Sequence, residues 1–195
     1  MNVKIMSSNT FFLLRHAQTE MVQNKKISEW PLTERGIVIA SKLANEIFRK
    51  PFDLIYSSSE PKAIQTAKPF AEKYNLKIIQ CFEFRELNRD RGDFQSEDQY
   101  KVNVELALKN RDRIYNNWET ANNALSRFKE KFQEIDNENQ DKKILIVSHG
   151  LVLNLFFAHL LDDMPSVFKR WQTTRFCDYG IIDKGTVLKD ITSLQ

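Results

Sequence analysis

A chain of 195 residues, 42% hydrophobic and 28% charged, has the composition of a soluble globular protein and enough length to bury a sizeable core. Its formal net charge of +3 is small and its Lys and Arg are dispersed, which argues against a nucleic-acid surface; no apolar stretch reaches the length of a membrane span. Cys81 and Cys177 are far apart and in no metal-like spacing, so they read as reduced, packed thiols of a cytoplasmic protein.

The first apolar run, FFLLRH (11–16), has the length of a buried strand and ends on an arginine beside a histidine. Its length is too short for the core of a signal peptide. After a polar loop, LTERGIVIASKLANEIFRK predicts a helix capped by Thr33, with Ile37, Ala40, Leu43, Ala44 and Ile47 on one face. DLIYSS (53–58) predicts a second strand, running into a helix with Ser59 as candidate cap and Pro61 in its first turn. Pro69 is expected to kink or shorten that helix. LKIIQCF (76–82) predicts a third strand, followed by EFRELNRDRGDF, a charge-dense loop closed by Gly92.

The section from about 96 to 138 reads as a helical insertion, and Ala121, Leu125, Phe128, Phe132 and Ile135 form a stripe at helical spacing that suits core packing. KILIVSHG (143–150) is the clearest strand, with a buried helix after it. The tail predicts a hairpin turning near Lys184 and Gly185. Strands alternating with helices imply an α/β fold with a mainly parallel sheet and helices on both faces, over one domain. In such sheets ligands bind at the carboxyl ends of the strands, and Arg15–His16, Ser57–Ser58 and Ser148–His149 all fall there.

Of three histidines, His159 lies inside an apolar helix and reads as core, while His16 and His149 end strands. No H-E-x-x-H or C-x-x-C pattern supports a metal site. A neutral imidazole is a competent nucleophile toward phosphorus, and an arginine fork beside it can hold two phosphate oxygens. His149 and the helix opening at Gly150 add donors for an anion, and Glu86 in the charged loop is a candidate acid for a leaving alcohol.

Five segments together resemble the histidine phosphatase superfamily, in its phosphoglycerate-mutase-like branch. LLRHAQTE is similar to that family's Arg-His-Gly-Glu-Thr signature, and PLTERG to the opening of its first helix. YSSSEPKAIQTA is similar to its Ser-Ser-x-x-x-Arg-Ala-x-x-Thr-Ala stretch, FRELNRDRGDF to its Leu-x-Glu…Gly segment, and ILIVSHG to its second-histidine strand. The resemblance implies a three-layer α/β/α sandwich and a phosphatase of phosphomonoesters. It implies a phosphohistidine on His16, Glu86 as proton donor, and phosphate held by Arg15, Lys62, His149 and Gly150. It requires no metal or cofactor, and the expected partner is a small phosphorylated substrate.

The departures are informative. Lys62 stands where the family has its second arginine, keeping the charge but losing the planar fork. That leaves a catalytically weak binding or regulatory member as the alternative. Ala17 and Gln18 replace Gly-Glu. Mutases of the family carry Trp-Asn where this chain has Met21 and Val22; Val22 cannot hydrogen-bond substrate, which argues for a phosphatase over a mutase.

Overall fold

The computed structural model describes residues 7–48, 51–93 and 95–192, apart from the side chain of Ile47. Six strands form one sheet: β1 (Thr10–Arg15), β2 (Leu54–Ser58), β3 (Ile78–Cys81), β4 (Lys143–Ser148), β5 (Tyr179–Asp183) and β6 (Thr186–Lys189). Their order is β3-β2-β4-β1-β5-β6, with β3, β2, β4 and β1 parallel and the β5–β6 hairpin antiparallel. The hairpin turns where expected, because Lys184 and Gly185 take φ of 48° and 75°, the left-handed pair a tight two-residue turn requires.

Among the described residues six helices cover the sheet: α1 (Glu34–Lys42, running on as a wider turn over Leu43–Ile47), α2 (Pro61–Tyr74), α3 (Glu97–Lys109), α4 (Ala121–Glu138), α5 (Gly150–Leu160) and α6 (Val167–Thr173). The two-residue period of the strands divides the core. On β4, Ile144 and Ile146 join a cluster with Phe128, Phe132 and Phe156 of α4 and α5. Leu145 and Val147 instead join one with Ala63, Ala67 and Phe70 of α2. On β1, Phe11 and Leu13 divide from Leu14 in the same way. The stripe Ala121, Leu125, Phe128, Phe132 and Ile135 is buried throughout.

Three local expectations are corrected. Ile37 does not join the core face of α1 but is 48% exposed, whereas Ala40, Leu43 and Ala44 are buried. Ser59 is not the cap of α2. Glu60 occupies that position, held extended by the proline after it, and its carboxylate makes no capping bond. Pro69 does not shorten α2, which continues to Tyr74. The buried face of Ala63, Thr66, Ala67 and Phe70 outweighs a missing backbone bond that alone costs about 3 kcal/mol.

Candidate active site

Register places the chemistry. Arg15 pairs with Ser148 across β1 and β4, Ser57 pairs with Val147 across β2 and β4, and the His16 amide extends the ladder to Ser148 O at 2.9 Å. Three strand ends therefore deliver Arg15, His16, Ser58 and His149 to one place, with the imidazole centroids of His16 and His149 5.0 Å apart.

His16 is only 6% exposed. Its Nδ1 lies 2.8 Å from Ala17 O. A carbonyl can only accept, so Nδ1 carries the proton and Nε2 presents a lone pair. Thr66 holds this turn in place: its hydroxyl donates to Lys62 O at 2.7 Å and accepts from the Ala17 amide at 3.0 Å. Burial, and after it the neighbouring His149, Arg15 and Lys62, hold the His16 pKa well below the usual 6.5.

His149 is fully buried, with Nε2 2.7 Å from Ser58 Oγ and Nδ1 without a partner among the described residues. Burial, and then Lys62, Arg89, Arg127 and Arg15, lower its pKa strongly as well. The 3.7 Å approach of Nε2 to Glu60 Oε1 is therefore a neutral ring beside a carboxylate, not an ion pair.

Arg15 donates from Nη1 to Thr174 O at 2.6 Å and lies 4.6 Å from the Phe176 ring centroid, while its Nε is buried without a partner. Burial lowers its pKa, opposed chiefly by Glu86. Gly150 opens α5 directly against this guanidinium: a Cβ there would stand 3.0 Å from Arg15 Nε. Absence of a side chain is what lets the helix start so close.

Glu86 is buried at the amino end of the same helix. Its Oε1 accepts from the amides of Leu87 at 2.9 Å and Val152 at 3.0 Å, and Oε2 accepts from Leu151 at 2.9 Å. Oε2 thus keeps a lone pair free. Lys62 is 2% exposed and already engaged: Nζ is 2.7 Å from Glu60 Oε2 and donates to Ile27 O at 2.7 Å. Burial lowers its pKa, and Glu60 works against that.

All six residues expected at the site come together. The sequence reading missed four neighbours. Glu60 links Lys62, Arg85 Nε at 3.6 Å and the Glu86 amide at 2.9 Å. Thr66, Thr174 and Phe176 hold the loops around His16 and Arg15. Glu60 had a signal, a carboxylate between a strand end and a helix-opening proline; the loop after α6 had none. A cavity of about 550 Å³ opens on the far side of the 85–91 loop, lined by Phe82, Arg85, Glu86, Arg91, Ile114 and Trp118. It excludes both histidines, so the chemistry locates the site better than the void does. Among the described residues no three His, Cys, Asp or Glu side chains gather as a metal site, and no helix is long and apolar enough to cross a membrane.

The sequence model of the histidine phosphatase superfamily (branch 1) matches residues 11–191, nearly the whole chain. The chain belongs to the histidine phosphatase superfamily. It is 26% identical over 166 residues to the uncharacterized phosphatase PhoE of Bacillus subtilis, covering 84% of this chain and 81% of that one. It is likewise 26% identical over 164 residues to phosphoserine phosphatase 1 of Hydrogenobacter thermophilus, covering 76% and 74%. Among solved structures, Bacillus stearothermophilus YhfR superposes with a TM-score of 0.78 at 21% identity, covering 95% of this chain and 98% of that one.

Proposed function

We propose that this chain is a phosphoric monoester hydrolase that passes the phosphoryl group through His16. The observation that carries the reading is the bond from His16 Nδ1 to Ala17 O, which leaves Nε2 neutral, unprotonated and buried beside Arg15 and His149. In the first step Nε2 bonds to phosphorus, the P–O ester bond breaks, and the leaving oxygen takes a proton from Glu86 Oε2. In the second, water attacks the phosphohistidine, the P–N bond breaks, and Glu86 receives the water's proton. The guanidinium of Arg15, His149 Nδ1 and the Gly150 amide at the start of α5 offer donors to the equatorial oxygens, where charge develops in transfer. The two steps balance with one proton cycling through Glu86, and they assign no part to a metal.

The substrate class is a small phosphorylated molecule, supported by the naming of relatives as phosphatases, one of them for phosphoserine. The location that suits such a substrate is the cytoplasm. A second reading, a catalytically weak member that binds phosphate, draws on the engagement of Lys62 by Glu60 and Ile27 O. Rapid-quench labelling separates the two. During turnover of p-nitrophenyl phosphate with EDTA present, wild type should carry an acid-labile phosphoryl group that His16→Ala lacks. No adduct, or activity abolished by EDTA, would sink the mechanism.

A further inference from the structure

Two features of the site do not fit the family pattern together with a lysine at position 62. The first is the state of Lys62. Its ammonium is matched by Glu60 at 2.7 Å, and Ile27 O takes another of its protons. Arg85 is matched too, by Asp90 at 3.4 Å and Glu60 at 3.6 Å. Ser28 closes the ring by donating Oγ–H to Asp90 at 2.6 Å. Lys62, Glu60, Arg85, Asp90 and the Ile27–Ser28 turn thus form a circuit whose charges answer one another.

The second feature is Arg89, on the loop three residues beyond Glu86. Among the described residues its guanidinium makes one hydrogen bond, to Tyr100 Oη, and no ion pair. It lies over the faces of Tyr100 and Trp118, 5.2 and 5.9 Å from their centroids, which fix the plane of its fork. Together with Glu60 and Glu86 it lines a small cavity beneath the Ile27–Ser28 turn. A half-buried arginine without a carboxylate is costly unless an anion visits it. Its charge is felt at the centre, since it depresses the proton affinities of Arg15, Lys62 and His149. Burial lowers its own pKa, but Tyr100, then Glu86, Glu60 and Asp90, together outweigh that and leave it raised.

We infer that Arg89, braced by Tyr100 and Trp118, is the second phosphate-binding guanidinium of this site, doing the work that a lysine committed to Glu60 cannot. The inference rests on the phosphatase reading above. Among the described residues Arg15 and Arg89 are cations near Glu86 that make no ion pair, so both forks keep donors for a phosphate dianion. The planar fork lost at position 62 is regained from a different loop.

The test uses inorganic phosphate as the probe. Its binding to the whole chain is measured by calorimetry, and its inhibition of p-nitrophenyl phosphate hydrolysis is measured alongside. Arg89→Met should weaken phosphate binding by about thirtyfold, the range of a charge-assisted pair. Lys62→Met should weaken it several-fold less. Arg89→Lys keeps charge and most of the volume, so it preserves the fold if methionine does not; it should still lose about tenfold, because the fork is what counts. Tyr100→Phe, which removes the hydroxyl that Arg89 bonds but keeps the ring face and the charge, should cost a smaller factor.

Phosphate binding by Arg89→Lys within threefold of wild type, or a greater loss in Lys62→Met than in Arg89→Met, overturns the inference. Calorimetry is independent of turnover. A wild type that binds phosphate but forms no phosphohistidine refutes the proposed function while leaving this assignment standing.

Discussion

Ser58 Oγ sits 2.7 Å from His149 Nε2 and 3.2 Å from the amide nitrogen of Glu60. The amide can only donate, so the hydroxyl accepts from it, and among the described residues Nε2 is the one partner left to take the hydroxyl's own proton. That leaves the proton of His149 on Nδ1, the nitrogen that is buried and without a partner among the described residues. Ser58 therefore makes His149 a donor toward the site and not an acceptor. Ser58→Ala should keep the fold and lower kcat/KM about tenfold, as the ring is freed to take the wrong tautomer. Steady-state kinetics beside a thermal melt decides it. Unchanged kinetics would show that the hydroxyl sets nothing.

The two histidines make the pH dependence specific in sign. Both have folded pKa values well below the unfolded 6.5, with burial the first cause of each. A group depressed in this way favours the fold above pH 6.5, and that contribution is lost as pH falls through 6.5 toward the folded values, because the unfolded chain takes up protons first. Urea midpoints should decline on going from pH 7 to pH 5. Over the same interval His16 should stay neutral with its proton on Nδ1. Two-bond proton–nitrogen NMR reads that tautomer directly, and a His16 ring titrating at or above 6.5 contradicts it.

How much of this could be read from residues alone follows from where each signal resides. The runs at β1 and β4 are short, apolar and end in Arg-His or Ser-His, so sequence order alone placed their termini at one sheet edge. The stripe on α4 is equally plain, because a helix period is local. Glu60 was not legible in its role. Its partners Lys62, Arg85 and the Glu86 amide come from two segments, and the register of β2 against β3 brings them together. The surroundings of Arg89 were not legible for the same reason. What half-buries it is Tyr100 on α3 and Trp118 in the connection to α4, elements whose docking the sequence does not state. Pro69 shows the converse, a strong local signal overruled by the buried face beneath it.

Gly150 offers a test of how tightly Arg15 must be placed. Alanine is the better helix former, so Gly150→Ala should not weaken α5 for conformational reasons. Its Cβ would, however, stand 3.0 Å from Arg15 Nε and 3.1 Å from Cζ, and Arg15 is tethered to Thr174 O at 2.6 Å. The guanidinium must shift by a few tenths of an ångström or more. Expected is a melting temperature near wild type with kcat/KM reduced about tenfold to a hundredfold, the scale at which misplacement is felt in catalysis. Full activity would mean that Arg15 has slack the geometry does not suggest.

The last prediction concerns Glu86, where a simple substitution hides two effects. In Glu86→Gln the side-chain oxygen can still accept from the amides of Leu87 and Val152. The new amide nitrogen would then face the donating Leu151 amide, 2.9 Å from Oε2 in the native site. Some loss of activity with any substrate thus follows from disturbed packing alone. The acid role is isolated by a ratio. Loss of a proton donor slows an alkyl phosphate, whose alkoxide leaves poorly, by about a hundredfold or more, but should slow p-nitrophenyl phosphate by less than about tenfold. Comparing kcat/KM for the two substrates in wild type and variant cancels the shared packing term. If both substrates slow by one common factor, Glu86 positions the start of α5 and the proton reaches the leaving oxygen from elsewhere.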